Sequence, residues 1–121
     1  MQATTLLILA AFLAVFLFYM RSGQIAAKEA QAHLRHGALV VDVRTAAEYV
    51  SSHLPKALNL PLSELEAIIA RHVPDKNQVL LLHCQSGMRS SVARKKLIAL
   101  GYTHAYNLGS YRRAMEIVKG R

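Results

Sequence analysis

Hydrophobic and polar positions along the chain fall into two regimes. From Ala3 to Met20 no residue is charged, and Leu, Ala, Phe, Val and Ile dominate. Beyond Arg21, short apolar runs alternate with stretches of mixed polarity. The first regime has the reach of a bilayer crossing, because the eighteen residues 3–20, at about 1.5 Å each, span roughly 27 Å as a helix. A cleaved signal peptide carries Lys or Arg ahead of its apolar core, and here nothing basic precedes Arg21. The best small-residue site after the run, Ile25-Ala26-Ala27, is a weak cleavage signal. An uncleaved anchor over residues 1–21 is therefore expected, with residues 22–121 as the domain it carries. Arg21, Lys28 and Arg35 all follow the apolar run, so the positive-inside rule puts that domain in the cytoplasm, at an inner or plasma membrane. Export of the domain to the periplasm is the alternative.

The second regime reads as alternating helix and strand. Ala26 to Leu34 suits a helix stopped by Gly37 in the left-handed position. Residues 38–43, Ala-Leu-Val-Val-Asp-Val, form the continuous apolar run of a strand covered on both faces. Thr45 with Glu48 makes a capping box for a short helix carrying Tyr49 and Val50. Residues 57–60 fit a short strand between Pro55 and Pro61, and Ser63 with Glu66 is a second capping box for a helix towards His72. A turn at 74–77 leads to the strand Val79-Leu80-Leu81-Leu82, which runs into Cys84. A helix from Ser90 to Leu100 ends at Gly101, a last strand covers His104 to Asn107, and a last helix covers Tyr111 to Val118. This order predicts an α/β fold: a central parallel sheet with helices on both faces, preceded by one transmembrane helix. In such sheets ligands gather beyond the carboxyl ends of the strands, where Asp42-Val43-Arg44 and the segment after Leu82 both emerge.

Composition narrows the chemistry. The one cysteine, Cys84, excludes an intramolecular disulfide and dithiol redox chemistry within the chain. The six histidines show no spacing with cysteine that reads as zinc, and no metal or other cofactor is expected. The net charge is +8, and the part from Cys84 onward carries eight basic residues against Glu116 alone. Such a field gathers small anions and anionic lipid headgroups, or is simply a solvated basic face. No motif for nucleic-acid binding accompanies it.

Cys84 sits at a strand-to-helix junction on a short loop, Cys84-Gln85-Ser86-Gly87-Met88-Arg89. Backbone N–H groups at a helix start and a nearby cation both favour thiolate over thiol. A buried cysteine acting as a small hydrophobe is the bland alternative, disfavoured by the Gly, Ser and Arg around it. His83 is adjacent in sequence, but strand alternation points it to the other face, so it is not assigned as a base.

Taken together, these segments resemble the single-domain rhodaneses, a sulfurtransferase family, from about Ile25 to Val118. The resemblance is carried by Asp42-Val43-Arg44 with Glu48-Tyr49, by His53-Leu54-Pro55-Lys56-Ala57-Leu58-Asn59-Leu60-Pro61, and by the Cys84 loop with Arg89-Ser90. Leu97 to Gly101-Tyr102 and Tyr106-Asn107-Leu108-Gly109 complete it. Where the family often has glycine before His53 and after Pro55, this chain has Ser52 and Lys56; its usual Gly-Gly is Gly109-Ser110, and a frequent later Trp is absent. The resemblance implies a thiosulfate sulfurtransferase in which Cys84 takes the outer sulfur of an anionic donor such as thiosulfate, becomes a persulfide, and yields the sulfur to cyanide or a thiol. Ping-pong kinetics follow from a covalent intermediate. Gln85, Ser86, Gly87, Met88, Arg89 and Ser90 would then cradle the sulfur and donor, Arg89 neutralising a sulfonate or bracing the loop, and Ser90 donating a hydrogen bond or capping the helix. Gly87 is expected where the backbone needs a positive φ or a close approach. Asp42, Arg44 and Glu48 are expected to support the rim as an ion-pair cluster.

Two rivals remain at this level. Cysteine phosphatases use a Cys-x5-Arg loop, one residue longer than Cys84 to Arg89, so phosphatase or arsenate reductase activity is the weaker reading. A membrane-tethered persulfide carrier or scaffold, delivering sulfur to a protein acceptor, is the other.

Overall fold

The computed structural model describes residues 2–21 and 23–120. Four strands, β1 (Leu39–Asp42), β2 (Leu58–Asn59), β3 (Leu80–His83) and β4 (Ala105–Gly109), form one sheet of order β2-β1-β3-β4. Every pairing is parallel. Six helices accompany them: α1 (Gln2–Arg21), α2 (Ala27–Arg35), α3 (Ala46–Ser51), α4 (Leu65–His72), α5 (Met88–Ala99) and α6 (Tyr111–Lys119).

The strands are mostly apolar because both faces are covered, with Asp42, Asn59, His83 and Asn107 as the polar exceptions. Alternation sends Val41, Val43, Leu80, Leu82 and Cys84 to one face, where Leu65, Ile69, Ala93 and Leu97 of α4 and α5 cover them. Val40, Leu81 and Leu108 turn to the other face, against Ala30 and Leu34 of α2 and Ala114 and Ile117 of α6. The predicted two-sided parallel sheet is therefore the observed one. Gly37 has φ +90 after α2, and the Thr45–Glu48 capping box closes as expected, with the Glu48 N–H donating to Thr45 Oγ1 and the Thr45 N–H to Glu48 Oε1.

The second capping box does not form. The residue ahead of α4 is Glu64, without a side-chain cap. A turn begun at Pro61, whose carbonyl accepts the Glu64 N–H at 2.9 Å, starts the helix one residue later than expected. The Glu66 carboxylate is drawn instead to Lys96 Nζ at 2.8 Å. Helix α5 begins at Met88 rather than Ser90, because Gly87 supplies the residue before it at φ +95.

Helix α1 carries an 18-residue window, Gln2–Tyr19, of mean hydropathy 2.1, with none of it buried in the protein. That is long and apolar enough to cross a membrane, and a signal sequence meets the same description.

Order 2-1-3-4 reverses direction between β1 and β3, so a crevice opens at their carboxyl ends. Asp42 lies opposite His83 there. A register shift against β4 places Gly109, not Leu108, opposite His83. The shift lies where β3 gives way to the loop that follows it.

Candidate active site

Cys84 leaves β3 with its backbone held by β4, its N–H donating to the Gly109 carbonyl at 3.3 Å. The chain then turns sharply, and the Gly87 N–H donates to Cys84 Sγ at 3.0 Å. The positive φ of that turn is what favours glycine, since a Cβ would meet only ordinary contacts there. Gly87 has φ +95, and a Cβ there would meet the Gly109 carbonyl carbon at 3.4 Å. Ser90, one turn into α5, places its Oγ 3.6 Å from the sulfur.

Burial pushes the Cys84 thiol up, but hydrogen bonds from the Ser90 hydroxyl and from the backbone N–H groups of Ser90, Gly87 and Ser86 outweigh it, and the net shift is downward. Converging donors on a desolvated sulfur are the arrangement that stabilises a thiolate. The residue is 0 % exposed, so a donor reaches Sγ only when atoms covering it move aside.

The remaining loop residues divide by direction. Gln85 and Ser86 are exposed, and Gln85 Oε1 accepts from Arg44 Nη1 at 3.3 Å. Ser86 Oγ turns to its own chain, accepting the Met88 N–H at 3.4 Å rather than donating to the sulfur. Met88 is half exposed and borders a groove of about 270 Å³ with Leu62, Val92 and Lys95. Arg89 does not stand free: its Nη1 and Nη2 donate to Glu48 Oε1 and Oε2 at 2.7 and 3.0 Å. Ser90 is buried inside α5 and is not its cap.

Asp42, Arg44 and Glu48 form two separate pairs rather than one cluster. Arg44 Nη2 donates to the fully buried Asp42 Oδ2 at 2.7 Å and to the Ser52 carbonyl at 2.7 Å, while its guanidinium lies 4.7 Å over the Tyr111 ring. Glu48 belongs with Arg89 instead. His83 turns to the Asp42 side of the sheet, as alternation requires, with Nε2 3.7 Å from Asp42 Oδ2.

Two residues near the loop escaped the sequence reading. The N–H of Tyr111 donates to the Gln85 carbonyl at 3.3 Å, tying α6 to the loop. Asn107 is wholly buried in β4, with Oδ1 2.7 Å from Ser90 Oγ and Nδ2 donating to the Gly87 carbonyl at 3.2 Å. The signal for it was present: an amide within a buried strand demands partners, and the nearest polar groups are the loop's own.

Fold and site together define a single α/β domain built around one activated thiol. A family model for the rhodanese-like domain matches residues 26–113. Thiosulfate sulfurtransferase PspE of Escherichia coli is 41% identical over 81 residues, covering 66% of this chain and 78% of that protein. Human thiosulfate:glutathione sulfurtransferase is 35% identical over 92 residues, covering 65% and 80%. Among solved structures, the human single-domain sulfurtransferase TSTD1 superposes with TM-score 0.67 at 31% identity, covering 78% of this chain and 96% of that one. A rhodanese with anions from E. coli gives 0.61 at 37% identity, covering 63% and 89%. The chain belongs to the rhodanese-like family.

Proposed function

We propose that this protein is a thiosulfate sulfurtransferase that moves sulfane sulfur from thiosulfate, or a related anionic donor, to a thiophilic acceptor through a persulfide on Cys84. Sulfurtransferase activity is what family membership and relatives named thiosulfate sulfurtransferases, at 31 to 41% identity, support. The observation that carries the persulfide is the sulfur itself: it receives the Gly87 N–H at 3.0 Å, and its net pKa is lowered despite burial.

In the first step the Cys84 thiolate attacks the outer sulfur of thiosulfate. A new S–S bond forms, the donor's S–S bond breaks, and sulfite leaves with its electron pair. In the second step a nucleophile takes the outer sulfur and returns Cys84 as thiolate: cyanide becomes thiocyanate, and a thiolate becomes a persulfide. Backbone N–H groups around the sulfur stabilise the anion at both stages. Glu48 holds Arg89 beside the loop through two hydrogen bonds, so its guanidinium is fixed in place with its charge largely matched.

Delivery to a protein acceptor is supported by the groove beside the loop, since Met88 and Val92 expose apolar surface next to Leu62. Residues 3–20 act as a membrane anchor in this reading, and residues 22–121, rich in basic residues after the apolar run, remain on the cytoplasmic side. Protease protection in sealed vesicles of each orientation reports that side, and digestion only in right-side-out vesicles would refute it.

Intact mass after brief thiosulfate treatment, beside a Cys84→Ser control, tests the chemistry. A gain of one sulfur on the wild type alone, removed by cyanide, is expected. No adduct on a verified free thiol would exclude thiosulfate as the donor.

A further inference from the structure

Asn107 sits in β4 with every polar atom of its side chain engaged. The backbone fixes which way its amide faces. The Gly109 N–H, which can only donate, points at Oδ1 from 2.9 Å, and the Gly87 carbonyl, which can only accept, lies 3.2 Å from Nδ2. The oxygen that Asn107 turns to Ser90 is therefore an acceptor, and across 2.7 Å the Ser90 hydroxyl donates to it, in preference to the Gly87 carbonyl at 3.1 Å, which Asn107 Nδ2 already occupies. A serine has one hydroxyl proton. The same Oγ lies 3.6 Å from Cys84 Sγ, where the thiolate needs that proton.

We infer that Asn107 is a positioning residue that competes with the Cys84 sulfur for the single hydroxyl proton of Ser90. While Cys84 is a thiol, its S–H donates to the free lone pair of Ser90 Oγ, and the serine proton stays on Asn107 Oδ1. Once the thiol proton has gone to solvent, the hydroxyl swings to the thiolate, and Oδ1 keeps the Gly109 N–H. When the sulfur is loaded the negative charge moves to the outer sulfur, and the hydroxyl returns to Asn107. The last stage rests on the persulfide reading above; the competition does not.

The surroundings of Cys84 leave few other groups able to produce the same effect. Arg89 approaches from α5 with its charge matched by Glu48 of α3. Asp42, Arg44 and His83 interact with one another on the opposite face of the sheet. The α4 residues buried on the cysteine's own face, Leu65 and Ile69, do not titrate. From β4, Asn107 is the polar side chain that reaches the loop.

The test is the pH dependence of Cys84 alkylation by iodoacetamide in the full chain in detergent. Ser90→Ala should move the midpoint up, because the thiolate loses a donor. Asn107→Ala should move it down, speeding alkylation below the midpoint about threefold, or roughly half a pH unit. The double variant should match Ser90→Ala alone, because Asn107 then has no proton to compete for. An upward shift in Asn107→Ala, no shift because the Gly87 carbonyl 3.1 Å away then holds the proton, or an Asn107→Ala effect that persists without Ser90, would overturn the inference. Should Asn107→Ala fail to fold, the near-isosteric Asn107→Asp serves instead. It should raise the midpoint, and by less when Ser90 is absent; an equal rise in both backgrounds would mean that charge alone acts. Alkylation needs no sulfur donor, so failure of thiosulfate to load Cys84 would leave this test readable.

Discussion

Glu48 holds Arg89 with both carboxylate oxygens, at 2.7 and 3.0 Å, joining α3 to the helix after the nucleophile across 41 residues of chain. The Arg89 hydrogen bonds foremost, then the Thr45 N–H, hold the Glu48 carboxyl down to about 2. A carboxyl lowered in the folded state contributes fully above the ordinary carboxylate range and loses that contribution as pH falls towards 2. Both side chains are about one-third exposed, so the pair is worth no more than about 1 kcal/mol. Glu48→Gln should cost less than that in urea melts at pH 7, with the difference shrinking below pH 4. A loss above about 2 kcal/mol would show that Glu48 does more than pin Arg89.

Asp42 and Arg44 are a different kind of pair, with side chains 0 and 5 % exposed. Breaking a buried pair strands a charge, so Arg44→Met should cost about 3–5 kcal/mol. Asp42→Asn with Arg44→Met should cost less than Arg44→Met alone, as measured by chemical denaturation. If the double variant is as unstable as the sum of the singles, the loss comes from Arg44's contacts to Ser52 and Tyr111 instead.

His83 is fully buried, with Nδ1 3.2 Å from the Cys84 carbonyl and Nε2 without a hydrogen-bond partner among the described residues. Burial foremost pushes its pKa down, opposed by the charge of Asp42. The unfolded chain therefore takes up this proton first, and stability falls as pH drops from about 6.5 towards the lowered folded value. His83→Phe should flatten that part of the acid profile. An unchanged slope between pH 6.5 and 5 would show that His83 takes up its proton equally well in both states.

Lys56 has φ +65, among the described residues the one non-glycine in the left-handed region. That conformation costs a side-chain-bearing residue about 1–2 kcal/mol, and glycine's extra freedom in the unfolded chain gives back about half of the gain from replacing it. Lys56→Gly should stabilise by about 0.5–1 kcal/mol in thermal melts. Lys56→Val should destabilise, and stability equal to wild type in both would contradict the strain.

The succession of strands and helices, two-sided cover and the position of Cys84 were legible because an apolar run covered on both faces has few other readings. The Thr45 capping box was legible because its two partners are local. The Ser63 box looked identical and failed, since Pro61 set the turn and Lys96, thirty residues on, took Glu66. The pairing of Arg89 with Glu48 was hidden for the same reason: charges announce that they need partners, not which ones. In the sequence Asn107 reads only as the end of the last strand and as part of the family resemblance, with no role at the loop. Its side-chain partners are Gly109 on its own strand and, on one distant segment, Ser90 and Gly87.

Residues 23–25 are strapped to β4. Gln24 forms a parallel bridge to Asn107, the Asn107 N–H donates to the Gly23 carbonyl at 3.1 Å, and the Ile25 N–H donates to the Asn107 carbonyl at 2.9 Å. Arg113 Nη2 clamps the Ile25 carbonyl at 2.6 Å. The strap therefore lies on the backbone of the residue whose side chain holds Ser90 and Gly87. Lifting residues 23–25 from the sheet would strip two backbone hydrogen bonds from Asn107, the residue that braces both the nucleophile's loop and its helix.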